Sequence, residues 1–376
     1  MIADSIPTPG APLPRGGGAS VIVLSILLLT IAVVPAQAQE ARPTVSSDEP
    51  LQRIVFGSCA VQDRPQPIWT PILAEDPDLF IFGGDNIYGD TANMDTLRHE
   101  YSRLAAKPGY QKLRQTTPIL ATWDDHDFGA NDMGGWYEQK ETSEEIFLDF
   151  FDVPEDSPRR QRPGVYGAHR YGPPGKRVQI ILLDTRYFRD RFETVELSEE
   201  AEERGFGPYA PNRDPDATML GAAQWEWLRA QLQKPAEVRL IVSSIQVVSP
   251  DHGWEIWSQM PLERARLFRM IEETGAGGVL FLSGDVHWGE LSRYTGGPYP
   301  LYDFTSSALN QEWPQAKNLP NPLRVGDTIY PYPNYGSVTI DWSREDPRIR
   351  MRLHDKEGAS VLSHTVALSE LQPTSE

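Results

Sequence analysis

Three apolar strands that end in polar motifs constrain this chain more than any other feature of its sequence. The first runs through Ile81 and Phe82 into a glycine pair and then Asp85. The other two lead into Asp124–Asp127 and Asp285–His287. Because ligands of an α/β sheet usually bind beyond the carboxyl ends of its strands, we expect these acids and imidazoles to share one edge of a sheet. Carboxylate and imidazole groups hold divalent and trivalent metals, so the pattern predicts a metal site.

The order of the remaining elements indicates an α/β fold. Apolar runs typical of buried strands alternate with amphipathic helical segments, and the last third of the chain is richer in strands. We therefore predict one domain with two packed mixed β-sheets flanked by helices. The predicted strands are 53–59, 78–82, 118–122, 165–171, 177–183, 238–242, 278–282, 291–294, 301–305, 337–341 and 349–354. The predicted helices are 66–74, 95–107 (capped by Asp95), 142–151 (capped by Thr142), 221–233 and 261–273.

Two long segments show no periodic pattern. Residues 193–218 are acidic and contain glycine and proline, which predicts a surface loop. A loop of this length in a compact domain is often functional, and a lid is one role left open. Residues 309–333 are rich in proline and asparagine and are predicted to connect two strands.

The N-terminal segment has the pattern of an export signal. An apolar run from Val21 to Val34 follows Arg15 and precedes Pro35–Ala38, which contains an A-x-A cleavage pattern. The run is shorter than the about 20 residues that a membrane span requires, so we predict a signal peptide and a secreted or periplasmic protein without a stable span in its mature chain. An N-terminal membrane anchor is the alternative. The predicted boundaries are 1–38 for the signal peptide, 39–50 for a disordered leader, 51–368 for the folded domain and 369–376 for a tail.

Composition limits the partners that the chain can take. Its 376 residues carry a formal net charge of −18, which is not the basic footprint of a nucleic-acid-binding protein. An acidic surface repels phosphate esters at long range, so a phosphate site here requires bound cations. Cys59 is the only cysteine, and a lone thiol in an oxidising compartment is expected to be buried or bound to a metal.

Five short motifs resemble those of a known family. In chain order they are Phe-Gly-Ser-Cys at 56–59, Gly-Asp-x-x-Tyr at 84–88, Trp-Asp-Asp-His at 123–126, Leu-Asp-Thr-Arg-x at 183–187 and Gly-Asp-Val-His at 284–287. Together they resemble the PhoD-like alkaline phosphatase/phosphodiesterase branch of the calcineurin-type metallophosphatase superfamily. The resemblance implies a metallophosphatase catalytic domain at 51–368, with a four-layer sandwich and its metal site at the carboxyl ends of the strands.

The resemblance also implies two unlike metals. Cys59 and Tyr88 stand where the branch binds iron through a thiolate and a phenolate, and Asp85 stands where a carboxylate bridges the metals. Asp125 and Asp285 replace an asparagine and a histidine of the superfamily. Oxygen in place of nitrogen suits calcium better than zinc. The expected cofactors are therefore Fe3+ and Ca2+, with Zn2+ or Mn2+ as alternatives.

The remaining predicted ligands and substrate contacts come from later motifs. His287 keeps the second histidine of the superfamily's last motif. The isolated middle histidine of the superfamily is missing, and Gln246 is the nearer match for that ligand. His252 is the other candidate, or it lies at the rim and contacts substrate. Asn131 and Trp288 complete the predicted substrate contacts.

The expected reaction is hydrolysis of small-molecule or polymeric phosphate esters by in-line attack of a metal-bound hydroxide. His126 is expected to act as general acid, oriented by an acid such as Asp127, and Arg186 to stabilise the developing charge. For Arg186 the alternative is a surface ion pair with Asp190. For Asp90 two roles stay open, which are capping of a chain segment and orientation of a neighbouring site residue.

Two alternative functions remain open at this point. The same site could serve a phosphodiesterase or phospholipase D-like enzyme that acts on phospholipid or teichoic-acid-type polymers. A secreted metal-binding protein without catalysis is the other, and the presence of His126 and Arg186 disfavours it.

Overall fold

The structure, a computed structural model, describes residues 43–250 and 252–373. The predicted signal peptide lies outside the described residues. Residues 43–50 of the predicted leader form no helix or strand, and the Ser47 carbonyl accepts a hydrogen bond from the Gly172 amide at 2.8 Å. Within the two described ranges, no helix combines the length and apolar character that crossing a bilayer requires.

Fifteen strands and eight α-helices make up the described part of the chain. The strands are β1 (Arg53–Gly57), β2 (Leu79–Gly83), β3 (Ile119–Thr122), β4 (Gly167–Tyr171), β5 (Val178–Leu182), β6 (Glu193–Thr194), β7 (Tyr209–Ala210), β8 (Val238–Ser243), β9 (Val279–Ser283), β10 (Gly289–Tyr294), β11 (Leu301–Ser306), β12 (Arg324–Tyr330), β13 (Asn334–Asp341), β14 (Arg348–Asp355) and β15 (Ser360–Ala367). The helices are α1 (Trp69–Ala74), α2 (Met94–Ala105), α3 (Pro108–Thr116), α4 (Asp125–Phe128), α5 (Lys140–Phe150), α6 (Glu199–Glu203), α7 (Gly221–Leu232) and α8 (Pro261–Thr274).

Two large mixed sheets form the centre of the domain. The first has the strand order β15-β14-β13-β1-β2-β3, and the second has the order β12-β10-β11-β9-β8-β5-β4. Strands β1, β2 and β3 run parallel to one another, as do β5, β8, β9 and β11. In each sheet, the carboxyl ends of adjacent parallel strands therefore meet at one edge, which is where the sequence places its polar motifs.

The alternation of side chains along β1 explains how the layers pack. Ile54 and Phe56 point into the larger core between the sheets, where the Phe56 ring lies 5.1 Å from that of Phe304 on β11. Val55 points the other way, into a second core between the first sheet and the helices that cover it. Successive side chains of a strand point to opposite faces of its sheet, so both sets are buried only when another layer covers each face. The predicted α/β class with two packed mixed sheets flanked by helices is confirmed.

Several local predictions are wrong. Helix α2 begins at Met94, and its cap is Asn93, whose side chain accepts hydrogen bonds from the amides of Asp95 and Thr96. Asp95 thus lies in the first turn and is not the cap. Helix α5 begins at Lys140, so Thr142 also lies inside a first turn.

The sequence patterns also missed elements with little apolar periodicity. Helix α3 was not predicted, because a mostly polar sequence hides it apart from Pro108 in its first turn. Strand β12 lies in the predicted connection 309–333 and is only half-buried, so it lacks the apolar alternation of a strand. Strand β15 was also missed, and the predicted loop 193–218 contains β6, α6 and β7.

Candidate active site

The loops that follow the parallel strands of both sheets meet at one place. The Ala60 amide donates to the Asp85 carbonyl at 2.9 Å, which ties the loop after β1 to the loop after β2. The Gly284 amide donates to the Ser244 carbonyl at 3.0 Å and ties the loops after β9 and β8. A Cβ atom on Gly284 would lie 2.5 Å from the Ser58 Oγ atom, so the two sheets can approach here only because this residue is glycine.

Several site residues have left-handed backbone conformations. The φ angles are 61° at Cys59, 48° at Asp85, 43° at Asp90, 71° at Asp285 and 65° at His287. Such conformations cost about 1–3 kcal/mol each for residues other than glycine, and they persist where the surroundings enforce them, often at active sites. The backbone strain is therefore concentrated in the loops that carry the predicted ligands.

A thiol, a phenol and an imidazole lie together at one side of this junction. Ligand atoms of Cys59, Asp85 and His287 all lie within 4.8 Å of one another. The Tyr88 hydroxyl lies 3.1 Å from the His287 Nε2 atom. Burial, followed by the charge of Asp85, raises the pKa of the Cys59 thiol well above its usual value, and burial raises that of the Tyr88 phenol. A thiolate or phenolate at this position therefore requires a neighbouring cation.

A group of four carboxylates adjoins the thiol. It consists of Asp85, Asp124, Asp125 and Asp285, which offer oxygen atoms within 4.8 Å of one another; we call it the carboxylate cluster. Within the described residues, the Asp85 Oδ1, Asp124 Oδ2 and Asp125 Oδ1 atoms are buried and have no hydrogen-bond partner. Burial raises the pKa of Asp85 and that of Asp285 well above the usual range, and neighbouring acids add to the effect. Unpartnered carboxylate oxygens at this spacing fit a divalent cation.

Arg186 is the counter-charge of this cluster. Its guanidinium is fully buried and forms an ion pair with Asp124, a second with Glu255 at 2.6 Å and a longer one with Asp125 at 3.5 Å. The alternative that Arg186 pairs with Asp190 at the surface is wrong. Asp190 instead accepts a hydrogen bond from the Thr218 amide. Arg186 is fully buried, so its guanidinium would not contact a ligand directly. It would influence a bound ligand only through the acids that it holds in place.

Asp90, and not Asp127, holds His126. The His126 Nδ1 atom lies 2.7 Å from Asp90 Oδ1. Asp127 is buried and accepts hydrogen bonds from the Asp124 amide at 2.6 Å and from the Asn86 side chain, so the prediction that it orients His126 is wrong. Burial alone would lower the pKa of His126, but Asp125, Asp85 and Asp90 raise it to about 11.

A cleft of about 290 Å³ opens over these groups. Asn131 and Trp288, two of the predicted substrate contacts, lie in its lining, and Asn131 is exposed. The other lining residues are Asp125, His126, Asp132, Trp254, Glu255, Asp285, Val286, His287 and Trp313. The cleft therefore has one end lined by carboxylates and imidazoles and another end lined by tryptophan rings.

Gln246 and His252 lie behind this wall and bind each other. The Gln246 Nε2 atom donates to Glu290 Oε1 at 3.0 Å and to Thr305 Oγ1 at 2.8 Å, and its Oε1 atom lies 3.0 Å from His252 Nε2. His252 is 3 % exposed and packs edge-on against the Trp288 ring. His252 is therefore not at the rim, which corrects that expectation. The complete set of partners at Gln246 argues against a role as metal ligand.

Four acids of the site were not assigned from the sequence. Asp124 belongs to the carboxylate cluster, and Asp90 holds His126. Glu255 and Asp132 form a further group with Asp125, with oxygen atoms within 4.8 Å. Asp124 lies within a motif and Asp90 lies two residues after one, so their positions alone could have indicated them. Glu255 follows Trp254 in a segment without any motif, and only the folded chain brings it to Arg186.

Comparison with known proteins gives a family and a fold for this chain. Residues 54–328 match the PhoD-like phosphatase family. Alkaline phosphatase D from Bacillus subtilis (strain 168) is 23 % identical over 292 residues, which are 67 % of this chain and 48 % of that protein. The chain thus aligns with about half the length of this curated relative. A solved structure of PhoD has 17 % sequence identity and a TM-score of 0.61, and the match covers 87 % of this chain and 74 % of that one.

The structural match shows a shared fold, and the family match spans the segment that holds every motif from Cys59 to His287. The resemblance inferred from the five motifs is confirmed. The chain belongs to the PhoD-like phosphatase family.

Proposed function

We propose that this protein is an exported metal-dependent hydrolase that cleaves phosphate esters in the cleft above the carboxylate cluster. The observation that carries the proposal is the set of buried carboxylate oxygens that lack any hydrogen-bond partner among the described residues. A buried acid is costly unless it is paired or holds a metal. The family match supports a phosphate ester as the substrate class.

The donor set divides into two chemically different halves. Cys59, Tyr88 and His287 supply sulfur, phenol oxygen and nitrogen, which suit Fe3+, with Zn2+ as the alternative. The carboxylate cluster supplies oxygen alone, which suits Ca2+ or Mn2+. Asp85 belongs to both groups and would bridge them. When bound, two such cations would supply the positive charge that holds phosphoryl oxygens and would lower the pKa of water.

The protein's own groups would hold and deliver a proton. The Asp90 carboxylate fixes His126 through Nδ1, which leaves Nε2 as the nitrogen that can donate to the leaving oxygen of an ester. Tyr88 packs against the same imidazole with ring centroids 4.1 Å apart and restricts its rotation. Arg186 keeps the acids below the cleft in place.

Hydrolysis of 4-nitrophenyl phosphate and of its bis ester by the purified protein tests the proposal. Turnover of either ester supports it, and the ratio of the two rates separates a monoesterase from a phosphodiesterase or phospholipase D-like enzyme. His126→Ala should depress turnover much more than metal content. Equal loss of both would make His126 a metal ligand, and absence of turnover on both esters with metals bound would reject the proposed function.

The metals themselves are tested by elemental analysis together with a visible spectrum. Iron with a thiolate or phenolate charge-transfer band, lost in both Cys59→Ser and Tyr88→Phe, supports the assignment of Cys59 and Tyr88. Stoichiometric zinc without such a band contradicts it.

Export to the periplasm or the medium is part of the same proposal. It is supported by the apolar run Val21 to Val34 and the following Pro35–Ala38. Sequencing the N-terminus of the protein recovered outside the cytoplasm should give Gln39 as the first residue. An intact N-terminus on a membrane-bound protein would support the anchor instead.

A further inference from the structure

We infer that the cleft is selective for phosphate esters whose leaving group carries a flat apolar ring, and that this ring packs on the exposed Trp254 in a wall that Trp313 and the buried Trp288 complete. The inference rests on the proposed function, because it names the substrate class of the same cleft. Its observations are separate, however, since they concern the end of the cleft away from the carboxylate cluster.

The tryptophan wall is assembled from three distant segments. Trp254 follows β8, Trp288 precedes β10, and Trp313 lies between β11 and β12. The rings of Trp254 and Trp313 are 5.6 Å apart and nearly perpendicular, and those of Trp288 and Trp313 are 5.9 Å apart. All three side chains line the cleft.

A small core of its own supports this wall. Trp288 packs in a cluster with the buried side chains of Val286, Ala316 and Leu319, and Phe206 and Trp313 pack against that cluster. The Trp254 Nε1 atom donates to the Gly205 carbonyl at 2.9 Å, which fixes the ring to segment 193–218. A rigid aromatic surface loses little conformational entropy when a ligand binds to it.

Trp254 is nevertheless exposed. With 36 % of its surface accessible, it is one of four exposed large apolar side chains in the described ranges, together with Val195, Leu262 and Tyr332. Of these four, Trp254 is the one that lines the cleft. Covering an exposed apolar ring contributes about 25 cal/mol per Å² of buried area. A ring on the ligand would therefore gain more here than a polar leaving group.

The lining of the cleft disfavours anionic and polyol leaving groups. No lysine or arginine is among the lining residues that the structure describes. Arg186 and Arg189 lie behind the lining, and each forms an ion pair with Glu255 at 2.6 Å. A second anionic group on the substrate would therefore find no lysine or arginine in the lining, and at the tryptophan end of the cleft a polyol would face ring surfaces.

A cationic leaving group is the competing chemistry, because tryptophan faces and acids also attract quaternary ammonium groups. Cages for such cations surround the charge with several ring faces. Here Trp288 is only 1 % exposed and offers little of its face, and Arg186 and Arg189 already neutralise Glu255. The geometry therefore favours a planar ring over a cation.

Direct binding of phosphonates, whose carbon–phosphorus bond the reaction does not cleave, tests the inference without depending on turnover. Isothermal titration calorimetry on the metal-loaded protein would compare benzylphosphonate, ethylphosphonate and 2-(trimethylammonio)ethylphosphonate. Benzylphosphonate should bind about tenfold more tightly than ethylphosphonate. Trp254→Ala should reduce that preference to about twofold, and Trp254→Phe should retain most of it. Leu262→Ala, which removes an exposed apolar side chain outside the cleft, should leave it unchanged.

Equal affinity for the benzyl and ethyl compounds, tightest binding of the trimethylammonium compound, or no binding of any phosphonate would overturn the inference. So would a Trp254→Ala variant that keeps the full preference. The proposed function is judged separately, by hydrolysis of 4-nitrophenyl phosphate. A benzyl preference without hydrolysis rejects only the proposed function, and hydrolysis without a benzyl preference rejects only the inference.

Discussion

Two buried groups in this domain contain carboxylates, and they differ in how the carboxylate oxygens are bonded. In the carboxylate cluster, Asp85 Oδ1 and Asp124 Oδ2 have no hydrogen-bond partner among the described residues. In the second cluster, Asp303 accepts hydrogen bonds from the amides of Val247 and Val248 at 2.7 and 2.8 Å and from the Ser283 hydroxyl at 2.7 Å. We call this second group the Asp303 cluster.

Burial and charge alone do not separate the two clusters. Burial raises the pKa of Asp303 even though its oxygens are well bonded, and it raises that of Asp85 as well. The number of hydrogen bonds that the carboxylate oxygens accept does separate them. A buried carboxylate whose oxygens all have partners serves the fold, whereas one with unpartnered oxygens can bind a cation. The backbone agrees. Asp303 lies within the regular strand β11, whereas Asp85 has a φ angle of 48°.

The largest expected effect comes from Asp85→Asn. Turnover should fall at least about 1000-fold, because Asp85 belongs to both candidate metal groups. Without metal, the same variant should unfold no more easily than the parent, because the substitution removes a carboxylate that repels the neighbouring Asp124 and Asp125. Assays of 4-nitrophenyl phosphate and urea unfolding with EDTA measure both effects. An active variant, or one that is strongly destabilised without metal, would place Asp85 with the structural acids.

Arg186→Met should lower the free energy of unfolding by about 3–5 kcal/mol, because it leaves Asp124 and Glu255 buried without their counter-charge. Urea unfolding measures the loss. The matched control is Arg229→Met, whose ion pair with Glu273 has side chains 44 % and 45 % exposed, and which should cost less than about 1 kcal/mol. Equal losses in the two variants would show that Arg186 does not neutralise the cluster.

Asp303→Asn should lower the free energy of unfolding by about 2 kcal/mol, since charge-assisted hydrogen bonds to Val247, Val248 and Ser283 are weakened. Metal content and kcat of the folded variant should stay the same. This pattern is the reverse of that expected for Asp85→Asn. Loss of metal without loss of stability would erase the distinction between the two clusters.

The smallest expected effect is a decrease in kcat of about tenfold in Asp90→Asn, because the amide holds His126 less firmly in its protonated form. Metal content and KM should change little, which separates positioning of a proton donor from loss of a ligand. A parallel fall in bound metal would assign Asp90 to the metal site instead.

The sequence predicted the parts of the fold that depend on apolar periodicity. Buried strands such as Leu79–Gly83 and Val279–Ser283 were placed within one or two residues, because both faces of each strand are covered. Helix α3 and strand β12 were missed, because tertiary contacts and not local apolar pattern determine them. The cap of α2 shifted from Asp95 to Asn93 for a similar reason, since both residue types suit a cap.

The candidate site was predicted where its residues lie in strand-end motifs. Cys59, Asp85, Asp125 and His287 are brought together as expected. Partner choice among nearby acids was not predictable. Asp127 directly follows His126 in the sequence, yet the helical turn of α4 directs its side chain back to the Asp124 amide, and the more distant Asp90 contacts His126 instead.

The same distinction explains why the structure argues against Gln246 as a metal ligand. Its position after β8 matches that of a ligand, but the residue is bonded to Glu290, Thr305 and His252. Sequence position identifies which side chains reach a sheet edge, and it does not reveal which of them are already satisfied.

Stability of the EDTA-treated protein as a function of Ca2+ concentration tests the central claim most directly. The account predicts that the free energy of unfolding rises with Ca2+, by about 2.7 kcal/mol at a hundredfold excess over the dissociation constant. The rise should vanish in Asp85→Asn and persist in Asp303→Asn. No rise in the parent protein, or a rise that survives in Asp85→Asn and is lost in Asp303→Asn, would contradict the claim that the unpartnered carboxylates form the metal site.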